Sequence, residues 1–95
     1  LPTPGHTPGH QAILISSQGE KAMIVGDVFH TKAQVYEPTW SPLVDVDKEG
    51  SRRSRQMLLD LAEDQGYVIA AGHFHTTENI GRLIRLEGRR YWQAL

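Results

Sequence analysis

Residues 47–72 read DKEGSRRSRQMLLDLAEDQGYVIAAG, a stretch that predicts a helix leading directly into a buried strand. Asp47 is suited to cap the start of the helix, and Gly66 is suited to end it. The apolar residues of the helix recur at the 3.6-residue period and form one stripe: Met57, Leu58, Leu61 and Ala62. The run YVIAAG has the length and composition of a buried strand.

The other strands are predicted from apolar runs that turn residues interrupt. Residues 11–17 and 21–27 form one hairpin around the turn QGE, and residues 81–95 form a second hairpin that turns at EG. Residues 28–47 contain two prolines and are expected to be irregular. The order β-β-loop-α-β-loop-β-β predicts an α+β (α/β layered) fold, in which a mixed sheet carries one main helix.

One face of the predicted sheet has nothing to cover it. The strands at residues 21–26 and 67–71 are apolar on both faces, whereas a single amphipathic helix covers only one face of a sheet. The sequence therefore predicts that a further layer packs against the second face.

Composition narrows the function classes. The 95 residues make one domain or part of one, and the net charge of −1 favours neither nucleic acid nor a membrane surface as a partner. The absence of cysteine excludes disulfides and thiolate zinc sites. Apolar runs are far too short to span a membrane. No signal peptide is visible, and the compartment stays unassigned, with the cytoplasm slightly favoured.

Three ionisable residues share a context that favours a site. Asp27 follows the strand MIVG directly, His73 follows VIAAG directly, and His6 lies in a Pro/Gly loop before the first strand. Strand ends are rigid and the adjacent loops are open, so α/β folds place their sites there. A carboxylate and two imidazoles that converge can bind Zn²⁺ or a similar ion. Taken singly, each residue has an ordinary alternative: a surface histidine, a turn cap and a strand-end histidine.

The motifs TPGHTPGH, GDVFH and AAGHFH, separated by a hairpin and a helix, resemble the C-terminal half of a metallo-β-lactamase-fold hydrolase. The similarity is strongest to methyl parathion hydrolase-like and lactonase-like members. It implies that residues 1–95 form the C-terminal half of a metallo-β-lactamase-like domain, which is half of an αββα sandwich.

The resemblance also implies roles for individual residues. His6 binds one metal ion, His73 binds a second, and Asp27, the residue assigned to catalysis, bridges the two. The cofactor is then a pair of divalent ions, most simply Zn²⁺, which hold a hydroxide that attacks a small-molecule lactone, ester, β-lactam or phosphoester. His10 supports the loop or the groups around the metal. His30 and His75 are candidates for the surroundings of the metal or for the substrate pocket.

The family's other metal motif, His-x-His-x-Asp-His, does not occur in the sequence. Three ligands cannot fill two metal sites. We therefore expect a fragment that alone has little hydrolase activity and poor metal affinity, and that associates with itself or with a complementary N-terminal half.

Two alternatives to a hydrolase half remain open. One is a non-catalytic remnant that acts as an oligomerising structural module. The other is a nucleic-acid-binding piece, suggested by a basic cluster on the helix: Lys48, Arg52, Arg53 and Arg55. We expect that cluster to be a solvated face, since the net charge and the lack of interleaved aromatic residues weigh against nucleic-acid binding.

Overall fold

Five strands form a single sheet in the order in which they occur along the chain. The computed structural model describes all of residues 1–95. Its elements are β1 (Ile13–Ser17), β2 (Glu20–Ile24), α1 (Ala33–Tyr36), α2 (Lys48–Gln65), β3 (Val68–Ala70), β4 (Ile80–Leu86) and β5 (Arg89–Ala94). Strands β2 and β3 are parallel, and every other neighbouring pair is antiparallel. The predicted α+β fold with a mixed sheet and one main helix is confirmed.

The main helix, α2, begins and ends at the residues that the sequence predicts. The Asp47 side chain accepts a hydrogen bond from the Gly50 backbone N–H at 3.0 Å. Gly66 follows the helix with a φ of 72°, a left-handed conformation that glycine adopts without steric cost. Both ends of the helix are therefore determined by local chemistry.

The buried face of α2 differs from the predicted stripe. Leu58, Leu59 and Ala62 enter the core, whereas Met57 is 39% exposed. Towards the start of the helix, the same face is polar, and Arg55 is completely buried on it. The prediction that Arg55 belongs to a solvated basic face is therefore wrong, because the helix turns this residue inward.

The short helix α1 lies in the segment predicted to be irregular. Its single turn is held by the buried side chain of Gln34, which accepts hydrogen bonds from the backbone N–H groups of His30 (2.6 Å) and Thr31 (3.2 Å). The same side chain donates to the Trp40 carbonyl at 2.7 Å. A helix this short has no hydrophobic period from which the sequence predicts it.

Helix α2 covers one face of the sheet and leaves the other open. Met23 and Ile69, which are paired across β2 and β3, lie in the core. The neighbouring row of paired residues points to the opposite face. This row runs across four strands through Ile13, Ile24, Ala70 and Ile80. Its three isoleucines are 57%, 42% and 49% exposed, and we call this row the open face.

None of the helices is both long and apolar enough to cross a membrane.

Candidate metal centre

The parallel pairing of β2 and β3 brings two predicted site residues to one edge of the sheet. Asp27 follows β2 after the turn at Gly26, and His73 follows β3 after Gly72. The two strands run in the same direction, so both residues lie at carboxyl ends on the same side. His6 reaches this edge from the N-terminal loop. The structure thus brings together the three residues that the sequence predicts as metal ligands, although their role as ligands stays a prediction.

Asp27 lies between the two histidines. Its Oδ2 is 3.3 Å from His6 Nε2, and its Oδ1 accepts a short hydrogen bond from His73 Nε2. This hydrogen bond from His73 is the main cause that lowers the pKa of Asp27, and the nearby imidazole of His6 lowers it further. The carboxyl group is therefore ionised at neutral pH, with one oxygen facing each imidazole.

His10 holds the backbone at Asp27. Its Nε2 accepts a hydrogen bond from the Asp27 N–H at 2.9 Å, so the ring proton is on Nδ1, which donates to Thr3 Oγ1 at 2.8 Å. The His10 ring can come this close to the backbone only because residue 26 is glycine. A Cβ at this position would lie 2.7 Å from His10 Nε2, and Gly26 has a φ of +54°. His10 has no free nitrogen for a metal ion.

His30 packs against two of the predicted ligands, whereas His75 pairs with a near neighbour in the chain. The His30 ring stacks on that of His73 with centroids 4.5 Å apart, and it is 5.2 Å from the ring of His6. Its Nδ1 is buried without a hydrogen-bond partner, and burial lowers the pKa of the ring. His75 is exposed, and its Nδ1 pairs with Thr77 Oγ1 at 2.9 Å. Neither residue's predicted place around the metal or substrate is tested by these contacts.

The sequence did not reveal Asp45, which the structure places behind His6. The Asp45 side chain is fully buried, and its Oδ1 accepts a hydrogen bond from His6 Nδ1 at 3.0 Å. Its Oδ2 is 3.7 Å from Nη2 of the buried Arg55. Nothing in the segment VDVDK distinguishes Asp45 from the helix cap Asp47, so no local signal reveals this contact.

The donor atoms at this edge suit a divalent cation. His6 donates its Nδ1 proton to Asp45, and its Nε2 lies 3.3 Å from Asp27 Oδ2. A proton on Nε2 or a cation between the two atoms satisfies this close approach. Donor atoms of Asp27, His30 and His73 also lie within 4.8 Å of one another. Imidazole nitrogens and carboxylate oxygens are ligands that Zn²⁺ accepts.

Several solved structures of hydrolases share the fold of this chain. A hydrolase of the beta-lactamase superfamily, AbOPH, is 27% identical with a TM-score of 0.88, and AidC, a dizinc quorum-quenching lactonase, is 28% identical with a TM-score of 0.86. Each match covers 98% of this chain and 32% of the other. A probable metal-dependent hydrolase from Staphylococcus aureus is 31% identical with a TM-score of 0.72, over 90% of this chain and 34% of the other. The chain thus spans about a third of these proteins.

No curated protein matches the chain in sequence. Residues 1–73 match the family model of the metallo-beta-lactamase superfamily. The resemblance inferred from the sequence motifs is confirmed by this match and by the fold of the hydrolases and lactonases above. The chain belongs to the metallo-beta-lactamase superfamily, whose members are metal-dependent hydrolases.

Proposed function

We propose that this chain supplies one half of the dinuclear metal site of a hydrolase that acts on a small lactone, ester, β-lactam or phosphoester. The observation that carries the proposal is the position of Asp27, whose two oxygens each face the Nε2 of an imidazole, His6 on one side and His73 on the other. A carboxylate placed in this way is suited to bridge two cations. The dizinc lactonase among the similar structures supports zinc as the metal and a lactone as the substrate class.

In the proposed site, His6 and Asp27 would hold one ion, and Asp27 and His73 would hold the other. When bound, such ions supply a hydroxide nucleophile at neutral pH and positive charge for the oxygen that becomes negative during the attack. The chain's own residues prepare the site. The lowered pKa keeps Asp27 ionised, and His10 fixes the backbone that carries it. The ring of His30 stacks against the ring of His73.

The ligand set within residues 1–95 is incomplete for two ions. His6, Asp27 and His73 provide fewer donors than two sites with four or five ligands each require. We propose that the other ligands come from polypeptide outside these residues, and that residues 1–95 are the C-terminal half of the complete domain. The similar structures are about three times as long as residues 1–95, which supports the proposal that further ligands come from polypeptide outside these residues.

The open face fits the same division. In a layered fold, an apolar sheet face is covered by a second layer. The exposed isoleucines of the open face provide an apolar surface for a second sheet, and we propose that the remaining part of the hydrolase domain supplies it. Self-association of the chain through the open face is the expected behaviour when that part is missing.

A hydrolysis assay tests the proposed half-site. The 95-residue chain with added Zn²⁺ is assayed against an acyl-homoserine lactone, a simple aryl ester and an aryl phosphotriester, with the same Zn²⁺ without protein as the control. We expect no turnover above that control, because the ligand set is incomplete. Ordinary lactonase or esterase turnover by the chain, lost on Asp27→Ala, would show that the chain is a complete enzyme and would overturn the half-site proposal.

A second candidate function, an oligomerising structural module without catalysis, is favoured by the exposed apolar row alone. It predicts that Zn²⁺ content does not depend on His6 or Asp27, whereas the half-site proposal predicts that it does. Binding to nucleic acid has less support in the structure. Most arginines are engaged by acidic residues, such as Arg85 and Arg90 by Glu63, and Arg55 is buried.

A further inference from the structure

We propose that Asp45 is a positioning residue that fixes the ring orientation and the tautomer of His6, and that Arg55 holds Asp45 in place. The proposal rests on the proposed function in one respect, namely that His6 is a metal ligand. Asp45 forms no hydrogen bond or ion pair with Asp27 or His73, and its hydrogen bond to a predicted ligand is the one from His6. A carboxylate oxygen of Asp45 also lies within 4.8 Å of donor atoms of His6 and His30.

His6 and Asp45 bring two distant segments of the chain into contact. His6 and Asp45 are separated by 39 residues, yet His6 Nδ1 donates to Asp45 Oδ1 at 3.0 Å. The backbones are joined on both sides of this bond, by Val46 N–H to the His6 carbonyl (3.2 Å) and by Asp47 N–H to the Gly5 carbonyl (2.8 Å). The loop that carries His6 is therefore fastened to the segment that carries Asp45.

Close packing makes this junction rigid. Gly5 has a φ of +142°, and a Cβ at this position would lie 2.1 Å from the backbone nitrogen of Ser51 in α2. Only glycine allows the loop to approach the helix this closely. The hydroxyl of Ser54, also on α2, donates to the Pro4 carbonyl at 2.7 Å. The His6 loop consequently lies against the first turns of α2.

The hydrogen bond to Asp45 selects the tautomer of the neutral His6 ring. A neutral imidazole carries one N–H, and the hydrogen bond of one nitrogen decides which nitrogen can bind a metal. Asp45 is fully buried and acceptor-only when ionised, so it favours the proton on His6 Nδ1. The lone pair of Nε2 then points towards Asp27 Oδ2, at 3.3 Å. Carboxylate partners of this kind orient metal-binding histidines in general.

Arg55 is fully buried and lies beside Asp45. Its Nη2 lies 3.7 Å from Asp45 Oδ2, an oxygen that has no hydrogen-bond partner, so the guanidinium supplies the countercharge for a buried carboxylate. Its Nε donates to the Val28 carbonyl at 3.1 Å, directly after Asp27. One guanidinium thus fastens both the segment behind His6 and the segment behind Asp27.

The remaining contacts of Arg55 anchor it to its surroundings. Nη1 donates to the Pro38 carbonyl at 2.6 Å, and Nη2 donates to Ser51 Oγ at 3.1 Å. These contacts explain why a charged residue occupies the buried face of α2. They also offer the simpler alternative that Asp45 and Arg55 only stabilise the fold and have no influence on His6.

Histidine NMR separates the two possibilities. In the 95-residue chain without metal, at about pH 8, where unperturbed histidine is neutral, the ¹⁵N shifts of His6 report which nitrogen carries the proton. We expect the Nδ1–H tautomer in the wild type. The isosteric variant Asp45→Asn, whose amide can donate to Nδ1, should move His6 towards the Nε2–H tautomer. Asp47→Ala is the control, because it removes the helix cap and leaves the side-chain contacts of His6 unchanged.

The same variants are then titrated with Zn²⁺. Asp45→Asn should weaken the zinc response of His6 by about 10- to 100-fold, as loss of an orienting partner generally does, and Asp47→Ala should leave it unchanged. A folded Asp45→Asn chain that keeps the wild-type tautomer and zinc response would overturn the proposal, as would a wild type in the Nε2–H tautomer. A tautomer change in a chain whose His6 never responds to zinc would uphold the positioning role and refute the proposed function instead.

Discussion

At the scale of single residues, the site is built from histidines that have different tasks. His6 and His73 direct Nε2 towards Asp27, whereas His10 uses both nitrogens to hold the surrounding backbone. The two histidines of the PGHTPGH motif therefore differ in what their free atoms can do. His6 has a nitrogen available for a cation, and His10 has none.

Replacement of His10 should lower the free energy of unfolding. His10→Ala leaves the Asp27 N–H without its acceptor, and we expect a loss of about 1–3 kcal/mol in the free energy of unfolding. The measurement is urea unfolding followed by circular dichroism. His75→Ala, at an exposed histidine, is the control and should change stability by less than about 0.5 kcal/mol. Equal stabilities of the two variants would contradict the stabilising role of the hydrogen bond between His10 and the Asp27 backbone.

At the scale of elements, ion pairs join α2 to the β4–β5 hairpin, and Glu63 takes part in most of them, with Asp60 pairing with Arg90 as well. Arg85 donates to both oxygens of Glu63 at 2.7 Å, and Arg90 donates to Oε1 at 3.0 Å. These hydrogen bonds, that from Arg85 first, lower the pKa of Glu63 to about 2. The ionised form of Glu63 is therefore favoured in the folded chain relative to the unfolded one.

This coupling predicts a specific loss of stability in acid. A carboxyl group whose pKa falls on folding stabilises the fold above its unfolded pKa of 4.5, and this contribution disappears as the pH falls towards about 2. Glu63→Gln should lower the free energy of unfolding at pH 6 by about 0.5–1 kcal/mol and should flatten its decline between pH 4.5 and 2. Urea unfolding across this range measures both effects. Glu20→Gln, at an exposed glutamate without an ion pair, should retain the wild-type pH profile.

Local chemistry explains which elements and site residues the sequence predicts. The cap at Asp47 and the left-handed Gly66 act within one turn of α2, so the sequence predicts where the helix begins and ends. Asp27 and His73 follow apolar strands directly, and this position marked them as candidates. The burial of Arg55 and the contact of Asp45 with His6 depend on segments far apart in the chain. No local pattern contains that information, and α1 is too short to have a period.

At the scale of the whole molecule, the sheet is a layer with one covered face. Helix α2 packs on the face of Met23 and Ile69, and the open face presents a row of isoleucines. In the proposed function, one further layer of the hydrolase domain supplies the remaining metal ligands and also covers the open face. Metal binding by the complete site and burial of the isoleucines therefore depend on the same layer.

The open face predicts that the chain self-associates and that one charged residue placed on this face disrupts the association. We expect the 95-residue chain to self-associate at high concentration, and Ile24→Lys to shift it towards monomer with little change in stability, because Ile24 is 42% exposed. Sedimentation velocity over a range of concentrations measures this shift. Ser17→Lys, which adds the same charge at an exposed polar position, is the control. A wild-type chain that stays monomeric at high concentration would count against a missing layer.

In the proposed function, His6, Asp27 and His73 act together as this chain's share of a metal site. A Zn²⁺ titration of the chain, followed through the side-chain NMR signals of the histidines, tests this joint action. We predict weak binding in which His6 and His73 respond together, His75 does not respond, and Asp27→Ala abolishes the response. A response centred on His75, or one that Asp27→Ala leaves intact, would contradict the claim.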